Sequence, residues 1–330
     1  MNDIDIVVTW VDGSDKNWLK EKSIYSGKDE AGDSRGVRYR DWDTLRYWFR
    51  GIEKFAPWVR KIHFVTWGHV PEWLNTNNPK LNIVRHNDFI PEQYLPTFSS
   101  HPIEWNIHRI RGLSENFIYF NDDFFIVSPV DKSYFFKNGL PCDRAIIGPY
   151  TTSFRNSIAG IVCNDIEVIN TRFSRKKVMR KHPLNWFNPK YGKYNIYNVA
   201  GLLWPGFTGL MFSHFPAAYK KSTFETLWKE EYDIINKTCM RKFRDKRDVN
   251  HWLVRYWQIV TNNFVPADKS GQKVIFTADS KEKLCENILS GKNKIVCIND
   301  SESVKDFDKQ QHIINKVFEK LLPQKSRFEK

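Results

Sequence analysis

Hydrophobic residues in the first third of the chain come in short runs separated by polar helical patterns. Ile4 to Trp10 is an apolar, β-branched run interrupted by Asp5, which predicts a strand. Val11-Asp-Gly-Ser-Asp15 predicts a turn. Lys16 to Arg38 is polar and contains Gly27, Gly32 and Gly36, so it reads as a surface loop and a candidate lid. Asp41 or Asp43 can cap the next helix. That helix carries the stripe Leu45, Trp48, Phe49, Ile52 and Phe55, with Pro57 beyond its end. Lys61–Trp67 and Asn82–His86 predict a second and a third strand. Strand–helix–strand units of this kind build a mostly parallel sheet, the α/β class.

The stretch from Leu95 to Phe125 organises the rest. Pro96 and the polar cluster Thr97, Ser99 and Ser100 predict a turn. Ile103, Ile107 and Ile110 recur at one-turn spacing, the apolar face of a short helix. Glu104, His108 and Arg111 share another face, and Gly112 and Ser114 close it. Phe117–Phe120 has the length and composition of a buried strand, and it ends in Asn121-Asp122-Asp123.

Past Ser128 the pattern weakens. Pro129, Pro141, Pro149, Pro183 and Pro189 break the chain up to about Asn195, predicting loops and short strands over the sheet's ligand edge. Lys176–Lys181 is a basic run that reads as a solvated helix face. Phe224, Leu227, Trp228 and Ile235 mark one helix. Val249, Trp252, Leu253, Tyr256 and Val260 mark a longer one. Lys294–Ile298 predicts a late strand ending in Asn299-Asp300, and Phe307 to Leu321 a final helix.

Composition narrows the classes. The 330 residues are 41% hydrophobic and 27% charged, enough for one large core and typical of globular proteins. No run of about 18 apolar residues occurs, so no membrane-spanning helix is expected. No secretory signal is visible at the N-terminus. The five cysteines are odd in number and widely spaced, which fits reduced thiols in the cytoplasm rather than a disulfide frame or a zinc site. The net charge of +13 attracts anions: phosphorylated substrates, or an anionic membrane at its surface. No nucleic-acid motif appears. Neither GxGxxG nor a P-loop occurs.

Two adjacent carboxylates at the end of a buried strand need partners, because buried charge is expensive. In an open α/β sheet this is where ligands bind. Hard oxygen ligands there suit Mg²⁺ or Mn²⁺, which bridge carboxylates to phosphate oxygens. The plainer alternative is a solvated turn. Arg46 and Arg50, one turn apart, suit phosphate, or a solvated face in which Arg50 pairs with Glu53.

Several stretches carry a resemblance: IDIVVTWVDGSD, DTLRYWFRGIEKFAPWVRKIHFVTWGHVPEWL, LPTFSSHPIEWNIHRIRGLSENFIYFNDD, the His214-Phe-Pro216 region, and CIND with the PQKSRFE tail. In order, they resemble the conserved regions of the Stealth family, the bacterial capsular polysaccharide phosphotransferases. That family is related to the animal lysosomal-enzyme N-acetylglucosamine-1-phosphotransferase. The resemblance implies a Rossmann-like fold of the GT-A nucleotide-sugar transferase type. It implies one catalytic unit, with residues 1–128 holding donor and metal and 129–330 serving acceptor and catalysis, 294–330 returning to the site. The implied activity is transfer of a sugar-1-phosphate from a nucleotide sugar, UDP-linked in the family, to a glycan or lipid-linked glycan hydroxyl.

The site implied by the resemblance is specific. Asp122, Asp123 and Asp300 would hold Mg²⁺ or Mn²⁺. His214 would act as general base, with Asp123, Arg244 and Asp248 beside it and Asp248 orienting Arg244. Asp5, Trp10, Asp12, Gly13, Ser14, Asp15, Arg46, Arg50, Glu104, Arg109 and Asn121 would bind the donor. Two rivals remain: an ordinary metal-dependent glycosyltransferase, and a non-enzymatic module binding polyanionic glycan or membrane.

Overall fold

In this computed structural model, which describes residues 3–26, 40–150, 158–211, 214–300, 304 and 306–330, strands and helices are interspersed from the first element. β1 (Ile4–Thr9) leads through α1 (Lys16–Ser26) and α2 (Leu45–Phe55) to β2 (Ile62–Thr66) and β3 (Leu81–Arg85). Then come α3 (His86–Phe89), α4 (Ser100–Asn106), β4 (Asn116–Asn121) and β5 (Phe124–Ile126). The short strands β6 (Phe136–Lys137) and β7 (Leu140–Asp143) precede a helical block: α5 (Ala159–Arg172), α6 (Arg175–Lys181), α7 (Pro183–Trp186) and α8 (Asn195–Gly201). β8 (Ala217–Lys220), α9 (Lys221–Glu230), α10 (Tyr232–Met240), α11 (Trp252–Val260) and β9 (Val265–Pro266) follow. β10 (Gln272–Phe276), α12 (Lys281–Leu289), β11 (Ile295–Asn299) and α13 (Phe307–Leu321) complete the chain.

The central sheet has five strands in the order β3-β2-β1-β4-β8. β1, β2, β3 and β4 run parallel, and β8 is antiparallel to β4. The chain builds outward from β1 to β3, then returns to place β4 on β1's other side. That reversal opens a crevice at the carboxyl ends of β1 and β4, the place where such sheets bind ligands. Thr9 and Asn121 are register partners there, so the turn after β1 and the acidic tip after β4 are neighbours.

Both faces of the sheet are covered, which is why its strands read as continuous apolar runs. Ile6, Val8, Ile118 and Phe120 point into one core with α2, α12 and α13. Val7, Phe117 and Tyr119 point into the other, with α4, α5, α9 and α11. A second sheet, β10-β11-β5, joins the C-terminal part to the first half. A β-carbon at Gly51 of α2 would lie 2.6 Å from the Ile126 carbonyl oxygen, so glycine lets α2 press directly onto β5.

Several expectations are corrected. Residues 16–26 form helix α1 rather than a loop; Asp15 Oδ1 accepts the Asn17 and Trp18 amides and starts it. The rest of the candidate lid, 27–38, lies outside the described residues. Residue 44 is the N-cap of α2 and makes no side-chain bond. The segment 128–195 holds a fourteen-residue helix, α5, with Ile161, Val162, Ile166 and Ile169 inward; surrounding prolines obscured this periodicity. The stripe from Phe224 to Ile235 is divided between α9 and α10 at Glu231. Val249 precedes α11 rather than belonging to it.

The candidate active site

The turn after β1 is tied up locally. The Asp12 carboxylate accepts the Ser14 amide (2.8 Å) and the Ser14 hydroxyl (2.6 Å), with Gly13 between them. The Asp12 amide donates to Nε2 of His69 at 2.7 Å, which places the His69 proton on Nδ1, toward Asp15 Oδ2 at 3.8 Å. Burial pushes the imidazolium form of His69 down, against the pull of Asp15 and Asp12, so it stays neutral. Trp10 is buried, stacked on Phe64 and edge-on to His69; it forms the floor of the turn.

The tip after β4 carries a strongly perturbed carboxyl. Crowding around Asp122, then repulsion from Asp123 and Asp41, lifts its carboxyl to about 7 although one side is open to water. Burial, then Asp43 and Asp12, lifts Asp41 as well. Asp123 Oδ2 lies 3.5 Å from Nε2 of His214 and 3.6 Å from Sγ of Cys297. Its Oδ1 is buried without a hydrogen-bond partner. Ligand atoms of Asp123, His214 and Cys297 all lie within 4.8 Å of one another. With no cation present, burial, then Asp123, pushes the Cys297 thiol far up. The site thus offers carboxylate oxygens in mutual repulsion, one of them unpartnered, with an imidazole and a thiol beside them, and these are the groups that could hold a divalent cation.

A third group lies behind the second. Glu104 is buried; Tyr119 donates to its Oε1 at 3.4 Å and also meets Thr9 at 3.2 Å. Burial opposes its charge, but His251, His101 and Arg244 outweigh this and hold its carboxyl below the usual range. Asp248 accepts from Arg241 (2.8 Å), the Asp245 amide (2.8 Å) and Nδ1 of His101 (2.8 Å). Arg244 donates to the Ser100 hydroxyl at 3.1 Å. Burial pushes His251 down to about 4, so it is neutral at pH 7.

The structure therefore brings Asp12, Gly13, Ser14, Asp15, Asn121, Asp122, Asp123 and His214 to one crevice, with Glu104, Arg244 and Asp248 adjoining. Other expected residues lie elsewhere or are engaged by neighbouring side chains. Asp5 is fully buried at the amino end of β1, away from the crevice. It is held by Arg60 at 2.8 Å, the Ser114 amide at 2.8 Å and His63 at 3.1 Å. Arg50 is buried and spends its fork on Glu329, with Glu319 and the Leu322 carbonyl also accepting; its partner is not Glu53, which holds Arg327. Arg109 donates to Asn106 and covers Trp228, before the amino end of β4. The shared face of Glu104, His108 and Arg111 is not a ligand face: His108 is buried against Phe224, and burial drops it to about 3. Asp300 is gripped through both oxygens by Arg40 (2.7 and 2.8 Å) and by Trp42, so a cation there would displace a guanidinium. Asp248 orients His101 and Arg241 rather than Arg244. Arg46, half exposed at the start of α2, meets Asp43 at 3.6 Å and the Trp73 ring.

Sequence reasoning missed His69, Asp41, His101, Arg241, His251 and Cys297. A usable signal existed for His101, a histidine in the polar Ser99-Ser100-His101 start of an otherwise apolar helix.

Comparison with known proteins decides the family. Residues 2–30 match Stealth protein CR1, conserved region 1, and residues 38–142 match Stealth protein CR2, conserved region 2. The chain is 44% identical over 332 residues to a capsular polysaccharide phosphotransferase WcwK of Streptococcus pneumoniae, covering 100% of this chain and 99% of that one. The chain belongs to the Stealth family. As a Stealth protein it is a transferase of the phosphotransferase kind. It is also 39% identical to the exopolysaccharide phosphotransferase cps2G of Lactiplantibacillus plantarum, over 99% of this chain and 96% of that one. The receptor polysaccharide phosphotransferase WefC of Streptococcus oralis is 39% identical, with 100% of both chains covered.

Proposed function

We propose that this Stealth protein transfers a sugar-1-phosphate from a UDP-sugar to a hydroxyl of a glycan or lipid-linked glycan, releasing UMP and leaving a phosphodiester in a surface polysaccharide. One observation carries the reading. The Asp12–Asp15 turn and the Asp122–Asp123 tip meet at the reversal point of a parallel sheet, beside His214. The strand order agrees with a GT-A-type arrangement, and the five free cysteines suit the reducing cytoplasm, where nucleotide sugars are used.

The residues divide the work. Asp123 and Asp122 would hold Mg²⁺ or Mn²⁺, which when bound neutralises charge on the diphosphate. The turn after β1 receives the nucleotide. Arg244, already hydrogen-bonded at the helix start through Ser100, faces the phosphoryl oxygens, where most of the stabilisation in phosphoryl transfer lies. His214, with 40% of its side chain exposed at the mouth, takes the acceptor proton. The acceptor oxygen then bonds to the sugar-bearing phosphorus as the pyrophosphate bond breaks.

The nucleotide product tests this reading. Purified protein incubated with UDP-sugars, Mg²⁺ or Mn²⁺ and a glycan acceptor should release UMP, and the glycan should gain a phosphodiester resonance in its ³¹P spectrum. Stoichiometric UDP with no phosphorus retained in the glycan would establish a glycosyltransferase and overturn the proposal.

A further inference from the structure

Helix α8 and the turn after it are packed inside out. The inward side is polar or small. Asn198 is fully buried and donates to the Ala145 and Trp186 carbonyls, while the Ile147 amide donates to its Oδ1 at 2.7 Å. A β-carbon on Gly201 would come within 2.8 Å of the Ile147 side chain. The outward side is apolar. Ile196, 68% exposed, and Val199, 56%, lie one turn apart on α8, and Leu203, 83% exposed, follows in the turn after it. Leu184, at 76%, and Trp204, at 50%, extend the patch.

This arrangement is not a frayed end. The buried guanidinium of Arg175 donates to the Leu202 carbonyl (3.2 Å) and the Trp204 carbonyl (2.6 Å). Leu203 is therefore held outward. Monomeric proteins rarely leave a contiguous apolar patch without a partner for it.

Charge identifies the partner. From Val168 to Phe224 the chain contains no aspartate or glutamate. Around the apolar residues stand the exposed Lys176, Lys177, Arg180, Lys181, Lys190 and Lys193. Aliphatic and Trp side chains ringed by cations are the signature of a surface that lies on an anionic bilayer. A second copy of this chain would bring an identical cationic rim against this one and be repelled. A polyanionic glycan or nucleic acid would have no use for Ile196, Val199 and Leu203. Among the described residues no helix is long and apolar enough to cross a membrane, so attachment of this kind is interfacial.

We infer that α8 and the 202–204 turn dock this protein on an anionic membrane surface, inserting Ile196, Val199, Leu203 and Trp204 while the α6 lysines contact lipid phosphates. The inference stands independently of the donor or the reaction.

Vesicle flotation tests it. The intact protein should float with phosphatidylcholine–phosphatidylglycerol vesicles, bind pure phosphatidylcholine weakly, and be partly released by added salt. Ile196→Glu/Leu203→Glu should bind at least about tenfold more weakly, and Leu203→Asn, a gentler change, should weaken binding in the same direction. Removing the charge of Lys176 and Lys181 should cost roughly fivefold per residue at low salt. Unchanged circular dichroism would show these variants folded. Failure of the intact protein to float with anionic vesicles, or Glu and Asn variants that float as it does, would overturn the inference. So would sedimentation showing a dimer that these variants convert to monomer while vesicle binding is unaltered; the patch would then join two copies.

Discussion

Replacing Arg50 by methionine should lower the melting temperature by several degrees while leaving donor binding intact. Arg50 is 6% exposed, and its Nε and Nη2 hold both oxygens of Glu329 at 2.9 and 2.8 Å. Methionine replaces most of the apolar stem but leaves Glu329, itself 4% exposed, with only the Ser326 amide and hydroxyl at 2.8 and 3.0 Å. Stranding one member of a buried ion pair costs about 3–5 kcal/mol, and the surviving Ser326 bonds favour the lower figure. For 330 residues, unfolding entropy at about 2.1 cal/mol/K per residue makes ~3 kcal/mol equivalent to a drop of roughly 4 °C. The pH dependence should also weaken. In the native protein burial pushes the Glu329 carboxyl up, but Arg50 and Ser326 outweigh it and hold it below its ordinary value. That contribution is present above the unfolded pKa and lost as pH falls through the folded one. In the variant only the Ser326 bonds oppose burial, so the carboxyl rises relative to the native protein and the variant loses less stability than the native protein does as pH falls. Calorimetric melts across a pH series check both points, and Arg50→Met/Glu329→Gln should recover part of the loss. An unchanged melting temperature together with a donor KM raised about tenfold would refute this reasoning and return Arg50 to phosphate binding.

Asp122→Asn should stabilise the cation-free protein above neutral pH by about 1 kcal/mol after allowing for solvent screening. Its carboxyl is raised to about 7, so the native protein's penalty accrues as pH rises from the unfolded value to 7; equal melts at pH 8 would count against that. Asp123→Asn should abolish turnover and calorimetrically detected Mn²⁺ binding without unfolding, and indifference of both to the change would exclude the site. His214→Ala should lower kcat by about 10²–10⁴-fold and flatten the acid limb of the pH–rate profile; a retained limb places the base elsewhere. Arg244→Lys keeps charge but loses the planar fork, so activity should stay crippled, and a near-normal variant would make it surface charge.

The parallel strands were legible because burial on both faces leaves a largely apolar run, as in Phe117–Phe120 and, apart from Asp5, in Ile4–Trp10. β8, with the sequence AAYK, was not, because a short edge strand shows no such run. The two polar tips could be located because a turn after a buried strand stands out. The misassignments have a common origin in distance along the chain. Arg50 and Glu329 are 279 residues apart, and His101 and Asp248 are 147 apart, so neither pairing leaves a local trace. Asp5 was misread for another reason: it lies at the opposite end of its strand from the crevice, where Arg60 and His63 make it a structural anchor.

The acidic tip is also a seam. Asn121 ends β4 of the central sheet, and Phe124 begins β5 of the second. Between them the Asp123 carbonyl accepts the Ile298 amide of β11 at 2.9 Å. Its backbone thus extends one ladder while its side chain faces the crevice. A ligand that immobilises Asp123 must tighten β11, and by thermodynamic reciprocity anything that loosens β11 weakens that ligand to the same degree. The Ile298 amide, remote in sequence from every donor-facing residue, becomes an exchange reporter for occupancy of the site, and changes in the C-terminal sheet become a means of tuning affinity without touching a ligand-binding side chain.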